Sequence, residues 1–354
     1  MESKLAFDFK TTQQVIKKIA YIDSFKGKWK GLETKESAYL KELKQVATVE
    51  SIGSSTRIEG ATMTDGEVKG LIDSVKVASL KTRDEQEVFG YYEVLSLILD
   101  SYDAIEIRES HIHHLHKQLL QVSSKDDNHR GNYKQVSNRV VANYPEGKQK
   151  VIFHTTAPFL VQSEMESLVS WTNARFEQED LHPLMTISAF VYEFLSIHPY
   201  QDGNGRLSRL LTTLLLLKKG YDFMQYASME FEIEKRKKEY YKALMSGQQK
   251  RGSDQEVIDK WVLFFLDTLE EAIKKLESRY EKIKDKKGYL NSRQKKILRF
   301  IADNEPVKIS DVLPAMEGYT QYTIKKDMKH LLTEGYIKKM GKSRGTIYIL
   351  ADKE

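Results

Sequence analysis

The 354-residue chain predicts a mainly α fold with one inserted β-hairpin, closed by a small α/β unit. Three observations predict it: two adjacent apolar runs, a β-type stretch around a Pro-x-Gly turn, and a change of pattern after residue 288. Gln45 to Glu59 reads as a helix that Gly60 stops, because glycine suits the left-handed position just past a helix end. Gln135 to Thr155 carries β-type residues on both sides of Tyr144-Pro145-Glu146-Gly147-Lys148, which favours a turn and hence a hairpin. Leu184 to Ile197 is an apolar helical run and Leu207 to Leu217 is leucine-rich, the pattern of buried helices, so the polar segment between them is a loop held at two helix ends. From about Asp254 a long charged helix leads to a lysine-rich, glycine-ended boundary, Lys282 to Gly288. Beyond it, Ser292 to Ala302, Ile309 to Pro314 and Thr320 to Glu334 read as helices. Gly335 to Lys339 and Gly345 to Leu350 read as a second hairpin.

Composition narrows the class. A chain of this length with 40% hydrophobic residues can bury a large core in two or three domains. It has no cysteine, which excludes disulfides and thiolate metal sites. Met1 to Ala6 lacks a basic-then-apolar leader, and the leucine-rich run ending at Lys218 is too short to cross a bilayer. These features predict a cytoplasmic protein that does not engage a membrane.

The loop between the two apolar runs carries the chemistry. His198-Pro199-Tyr200-Gln201-Asp202-Gly203-Asn204-Gly205-Arg206-Leu207-Ser208-Arg209 packs a base, a carboxylate, two glycines and two arginines into twelve residues. Gly203 and Gly205 can take positive φ, so successive amides turn inward into an anion-binding nest. A helix starting near Arg206 adds its N-terminal donors and partial positive charge. Arg206 and Arg209, three apart, can reach phosphate oxygens with forked, charge-assisted bonds. Asp202 suits Mg²⁺, which takes one or two carboxylates plus phosphate oxygens. His198 is the group able to take a proton near neutral pH. The glycines are neither a Rossmann fingerprint, since Ser208 fills the third glycine position and no strand precedes, nor a P-loop.

Taken whole, the string resembles the Fic family signature, His-x-Phe-x-Asp/Glu-Gly-Asn-Gly-Arg-x-x-Arg. Tyr200 stands at the aromatic position and adds a hydroxyl that needs a partner. The likeness extends over about residues 10 to 275. Glu109 to Leu120, with His116, resembles the family's helix before its flap, and the hairpin at Gln135 to Thr155 resembles the flap, whose edge aligns a target segment by strand addition. Tyr240-Tyr241-Lys242-Ala243-Leu244 resembles its Tyr-Tyr-x-x-Leu element. The resemblance implies a Fic-type helical core at 111–275 behind an N-terminal helical region at 1–110. It further implies transfer of AMP from ATP to a Ser, Thr or Tyr hydroxyl of a target protein, with release of pyrophosphate. In that scheme His198 deprotonates the hydroxyl and Asp202 holds Mg²⁺. Gly203, Asn204, Gly205 and Arg206 bind the α and β phosphates, Arg209 binds the γ phosphate, and Tyr240 and Tyr241 lie against base and ribose.

Upstream, Ser55-Thr56-Arg57-Ile58-Glu59-Gly60 ends a helix with a carboxylate at the negative end of the dipole, a placement that calls for a cation. The string resembles the Fic inhibitory motif, Ser/Thr-x-x-x-Glu-Gly/Asn, placed before the core as in the family's second class. That likeness implies that Glu59 pairs with Arg209, holds back the γ phosphate and keeps the enzyme inhibited. Some members of the family also use this glutamate to orient a water and remove AMP, and members modify themselves or form homodimers.

After a linker at 276–290, residues 291–354 resemble a winged helix-turn-helix domain. This segment holds 13 Lys and Arg against 8 Asp and Glu, whereas the residues before it balance at 43 and 43. Lys325, Lys326 and Lys329 on its last helix and Lys342 and Arg344 on its wing make duplex DNA a candidate partner. The alternative to an adenylyltransferase is therefore a DNA-binding regulator whose Fic domain senses nucleotide. His111, His113, His114 and His116 look metal-like but lack an evident carboxylate second shell, and Lys235 to Lys238 read as a solvated helix face.

Overall fold

The computed structural model describes residues 1–33, 37–74, 80–143, 149–288, 290–341 and 345–351. The expected turn at Tyr144 to Lys148 and the wing residues Lys342 and Arg344 lie outside the described residues. Two compact units are present, Met1–Ser278 and Arg279–Glu354.

The first unit opens with α1 (Phe9–Glu33) and α2 (Ser37–Glu59), followed by α3 (Asp65–Ser74), α4 (Arg83–Ser101) and α5 (Glu109–Leu119). α2 begins well before the expected Gln45 and ends at Glu59, where Gly60 takes φ 113°. α4 starts in a full capping box, Thr82 accepting from the Glu85 amide while Glu85 reaches back to the Thr82 amide. Then come the antiparallel strands β1 (Arg139–Asn143) and β2 (Gln149–His154), with a register shift between Val140 and Val141.

The centre of the unit is α6 (Pro158–Gln178), α7 (Pro183–Ile197) and α8 (Asn204–Lys218), with α7 packed on both neighbours. Every residue of α7 from Leu184 to Ile197 is buried, Thr186, Ser188, Glu193 and Ser196 included among an apolar majority. α8 starts at Asn204, two residues before the expected Arg206. Gly203 supplies the turn, and the Asn204 side chain closes it by accepting from the Tyr200 amide and donating to the Tyr200 carbonyl, at 2.9 and 2.8 Å. α9 (Met229–Lys235), α10 (Lys237–Gln248) and α11 (Asp259–Gly288) complete the helices. α2 lies against α4, α8 and α9 and so reaches the start of α8. α11 runs through the stretch at 276–290 that composition marks as a linker, because lysine and glutamate are good helix formers as well as boundary signals. No helix among the described residues is long and apolar enough to cross a membrane.

The second unit holds α12 (Ser292–Asn304), α13 (Ile309–Ala315), α14 (Gln321–Thr333) and the antiparallel pair β3 (Ile337–Met340) and β4 (Ile347–Leu350). Val307 adds a single bridge to Tyr348. Ile297, Ile301, Val312, Ile324 and Leu331 are fully buried between the helices, and Ile337 joins them from the hairpin. Buried Asp327 on α14 is met by Arg293 and by Gln294 of α12, which locks the two helices in register.

Candidate active site

His198 is the C-cap of α7 and sits at φ 53°, ψ 61°, a left-handed conformation that a side-chain-bearing residue adopts at a cost. Its amide donates to Phe194 at 2.9 Å, so the turn that ends the helix also aims the imidazole. Nδ1 is buried beside the Leu195 carbonyl without forming a full hydrogen bond. Burial, reinforced by the nearby Lys134 ammonium, lowers the imidazole pKa to about 4, against the opposite pull of the Leu195 carbonyl, Glu59 and Asp202. The ring is therefore neutral at pH 7, the state a proton acceptor needs.

The loop then turns into α8. Gly203 lies at φ 79°, where a side chain would be strained. The first α-helical bond beyond it, from the Leu207 amide to Gly203, leaves the amides of the preceding turn directed out of the helix end. Asp202 caps this mouth, its Oδ1 accepting from the Gly203 amide at 2.6 Å and from Arg206 Nη2 at 3.2 Å. Burial raises the Asp202 pKa, but Arg206 and the Gly203 amide outweigh it and hold the carboxylate below its ordinary range. The Arg206 side chain is 2% exposed. Its Nη1 lies 3.4 Å from Glu87 of α4, yet Nε and Nη1 make no hydrogen bond among the described residues. Two nitrogens of a buried guanidinium at a helix N-terminus without hydrogen-bond acceptors suit an added anion, even with Asp202 and Glu87 paired to its charge.

Arg209, one turn further, is held from the opposite side. Its Nε donates to Ser55 Oγ at 2.8 Å, and Nη2 donates to the Ser55 carbonyl at 3.0 Å and to Glu59 Oε1 at 2.7 Å. Burial raises the Glu59 pKa, but Arg209, with Arg206 and His198 behind it, outweighs burial and keeps it ionised. Arg209 is likewise held protonated by Glu59 against the cost of burial. Glu59 reaches so far over the helix start that a Cβ on Gly205 would fall 2.2 Å from its Oε1. The end of α2 is fixed by more than this pair. Arg57 makes a fork to Glu234 of α9 at 2.7 and 3.0 Å and reaches Asp65 at 2.9 Å, while Lys237 of α10 donates to the Ile58 carbonyl.

One cleft of about 150 Å³ is lined by Glu59, His198, Asp202, Gly203, Asn204, Gly205, Arg206, Arg209, Tyr240 and Tyr241. That volume is below the roughly 300 Å³ of small-molecule pockets, with Glu59 at its mouth. Ser55, fully buried, stands behind Arg209. Sequence reasoning missed Glu87 and Lys134, neither of which has a local signal: each reaches the loop across the fold. The Tyr200 hydroxyl finds its partner in His113 Nδ1 at 3.0 Å, and its ring stacks on His116 with centroids 3.7 Å apart. The Gly131 amide donates to His116 Nδ1, so Nε2 carries the proton and donates to the Asp202 carbonyl at 3.0 Å. These histidines brace the loop, and no group of three metal-binding side chains is found among the described residues. Tyr200→Phe should cost about 1 kcal/mol of stability, the net worth of one hydrogen bond. Thermal unfolding measures it, and the catalytic rate should hold within about twofold because the stacked ring remains.

Residues 106–216 match the Fic/DOC family. Similar curated proteins include protein adenylyltransferase Fic of Drosophila grimshawi, 29% identical over 187 residues, which is 52% of this chain and 36% of that protein. Protein adenylyltransferase Fic of Drosophila willistoni is 28% identical over 207 residues, 58% of this chain and 39% of that one. The chain thus spans less than two-fifths of the length of these relatives. The fold is shared with a Fic family protein from Desulfovibrio desulfuricans, at TM-score 0.65 and 22% identity over 99% of this chain and 98% of that one. It is also shared with a fragment of Fic-1 from C. elegans, at TM-score 0.60 and 18% identity over 77% and 74%.

Proposed function

We propose that this chain is a protein adenylyltransferase of the Fic type, held in an inhibited state by Glu59. The observation that carries the reading is Arg206, a buried cation two of whose nitrogens make no hydrogen bond among the described residues, beside a neutral base and a helix N-terminus. Such a site suits the phosphates of ATP, and phosphoryl-type transfer asks a protein chiefly for positioning and charge stabilisation. The names of the similar proteins support the same class of reaction.

In the proposed reaction His198 accepts the proton of a Ser, Thr or Tyr hydroxyl on the target protein. The hydroxyl oxygen forms a bond to the α phosphorus, the bond from that phosphorus to the bridging oxygen breaks, and pyrophosphate leaves with the electron pair. Gly203, Asn204, Gly205 and Arg206 hold the α and β phosphates, Arg209 takes the γ phosphate once Glu59 departs, and Tyr240 and Tyr241 flank base and ribose. Asp202 fits Mg²⁺: it is ionised, its side chain is 32% exposed, and one carboxylate with phosphate oxygens is a common Mg²⁺ set. Bound there, the ion would neutralise charge on the phosphates.

Incubating wild type, Glu59→Gly and His198→Ala with MgATP and reading intact mass tests the proposal. Self-modification by AMP should rise in Glu59→Gly and vanish in His198→Ala; no added AMP in any variant would refute it. The pH profile gives an independent check. The His198 pKa of about 4 lies below the ordinary 6.5, so kcat/KM of Glu59→Gly should stay level from pH 7 down to about 5 before protonation removes the base. Removing the glutamate also removes a charge that raises the His198 pKa, so the acid limb has no reason to move up.

A second reading, a DNA-binding regulator that senses nucleotide, is favoured by one observation. On α14, Tyr322 is 78% exposed, and Lys325, Lys326 and Lys329 are exposed at the same helical spacing. We infer that this face approaches duplex DNA as the recognition helix of a winged helix domain. Binding to a mixed-sequence duplex should weaken steeply with salt and lose about one unit of salt slope per lysine removed.

A further inference from the structure

Lys134, in the segment that leads into β1, is buried to 2% exposure, and the proposed reaction does not use it. Its ammonium donates to Asn138 Oδ1 at 2.9 Å, to Thr155 Oγ1 at 2.7 Å and to the Ile197 carbonyl at 3.2 Å, which exhausts its three donors. Asn138 immediately precedes β1 and Thr155 immediately follows β2, so both roots of the hairpin meet on one nitrogen. Ile197 is the last residue of α7, directly before His198. Main-chain bonds repeat the tie: the Lys134 amide donates to the Pro199 carbonyl at 2.9 Å, and Asn138 Nδ2 donates to the Tyr200 carbonyl at 2.9 Å. All three partners of the ammonium are neutral, and Lys134 forms no ion pair among the described residues. Glu164 of α6 acts on it only at a distance, being bound to Thr156 and Arg251.

A buried cation without an ion pair is a costly way to make a structural joint. Its placement gives that charge a use. We infer that Lys134 is a positioning residue for adenylyl transfer, fastening both hairpin roots to the Ile197 carbonyl so that the strand edge presenting the target stands in fixed register with His198. The inference rests on the adenylyltransferase reading. The same charge acts on the imidazole. Around His198 stand Lys134, which disfavours its protonation, and Glu59 and Asp202, which favour it. Burial lowers the pKa of Lys134 itself to about 8, with Glu164 opposing.

The test uses the full chain carrying Glu59→Gly as parent and follows self-modification by intact mass across MgATP concentration and pH. Lys134→Met keeps the length of the side chain and removes the charge. The plateau rate should fall about tenfold to a hundredfold, as a misplaced reacting group does, while half-saturating ATP holds within about twofold because the nest, Arg206 and Arg209 are untouched. The acid limb should move up toward 6.5, and an alkaline fall near pH 8 in the parent should disappear. Asn138→Ala removes one root from the joint and keeps the charge, so it should lower the plateau rate and leave both limbs in place. It also decides the matter should Lys134→Met not fold. An unchanged plateau rate in both variants would overturn the inference. So would a loss of ATP saturation in step with the rate, which marks a purely structural role. A parent that transfers no AMP overturns the adenylyltransferase reading, and this inference with it.

Discussion

Glu59→Gly should raise the rate of AMP incorporation on the order of thirty- to a hundredfold, the larger gain in any single substitution considered for this chain. Arg209 is 4% exposed and Glu59 32%, so their pair is partly buried and worth about 2–3 kcal/mol to whichever state contains it. At about 1.4 kcal/mol per decade, removing the carboxylate shifts the balance between blocked and open Arg209 by that factor. Space changes as well as charge, since Glu59 crowds Gly205 beside Arg209 in the same cleft. The gain should appear with Arg209 still anchored, because Ser55 holds it through both hydroxyl and carbonyl. Arg209→Ala in the Glu59→Gly background should abolish the gain. Steady-state rates for the two variants check this, and equal rates for wild type and Glu59→Gly would end the autoinhibition account.

His198→Ala should lower transfer about a hundredfold to ten-thousandfold, the usual loss with a general base. ATP affinity should change little, because the donors proposed to hold phosphate belong to α8 and its first turn, whereas the imidazole belongs to the end of α7. A rate loss without loss of ATP binding separates a role in proton transfer from a role in folding. The left-handed backbone sharpens the point: alanine at φ 53° is strained as histidine is, so the substitution deletes the base without relaxing the turn. Transfer at the wild-type rate by His198→Ala would remove the base from the scheme. Nucleotide titration beside the transfer assay supplies both numbers.

Much of the site was legible in the sequence because its parts are local. The loop between α7 and α8 places base, carboxylate, nest and both arginines within twelve residues, and the buried helices on either side leave the loop little freedom. Glu59 was legible for a different reason: a carboxylate at the negative end of a helix is a request for a cation, and Arg209 fulfils it. What stayed hidden was long-range. Glu87 approaches Arg206 from α4, and Lys134 reaches Ile197 across 63 residues, with no periodicity or spacing to announce either. Helix limits shifted where side-chain chemistry overrode propensity, as at Asn204, whose amide group closes the turn from Tyr200 and brings the start of α8 forward. Conversely, the lysine-rich stretch before residue 288 reads as a boundary by composition and as helix by propensity; it is helical to Gly288, and the division between the two units at Ser278 and Arg279 lies within 276–290.

The grip of Lys237 on the Ile58 carbonyl has a mechanical consequence. Lys237 is the first residue of α10, and Tyr240 and Tyr241, one turn along the same rod, form a wall of the cleft that Glu59 also lines. The brake and the wall are therefore two arms of one lever. The same nitrogen thus joins the helix end that carries Glu59 to the helix that carries the two tyrosines.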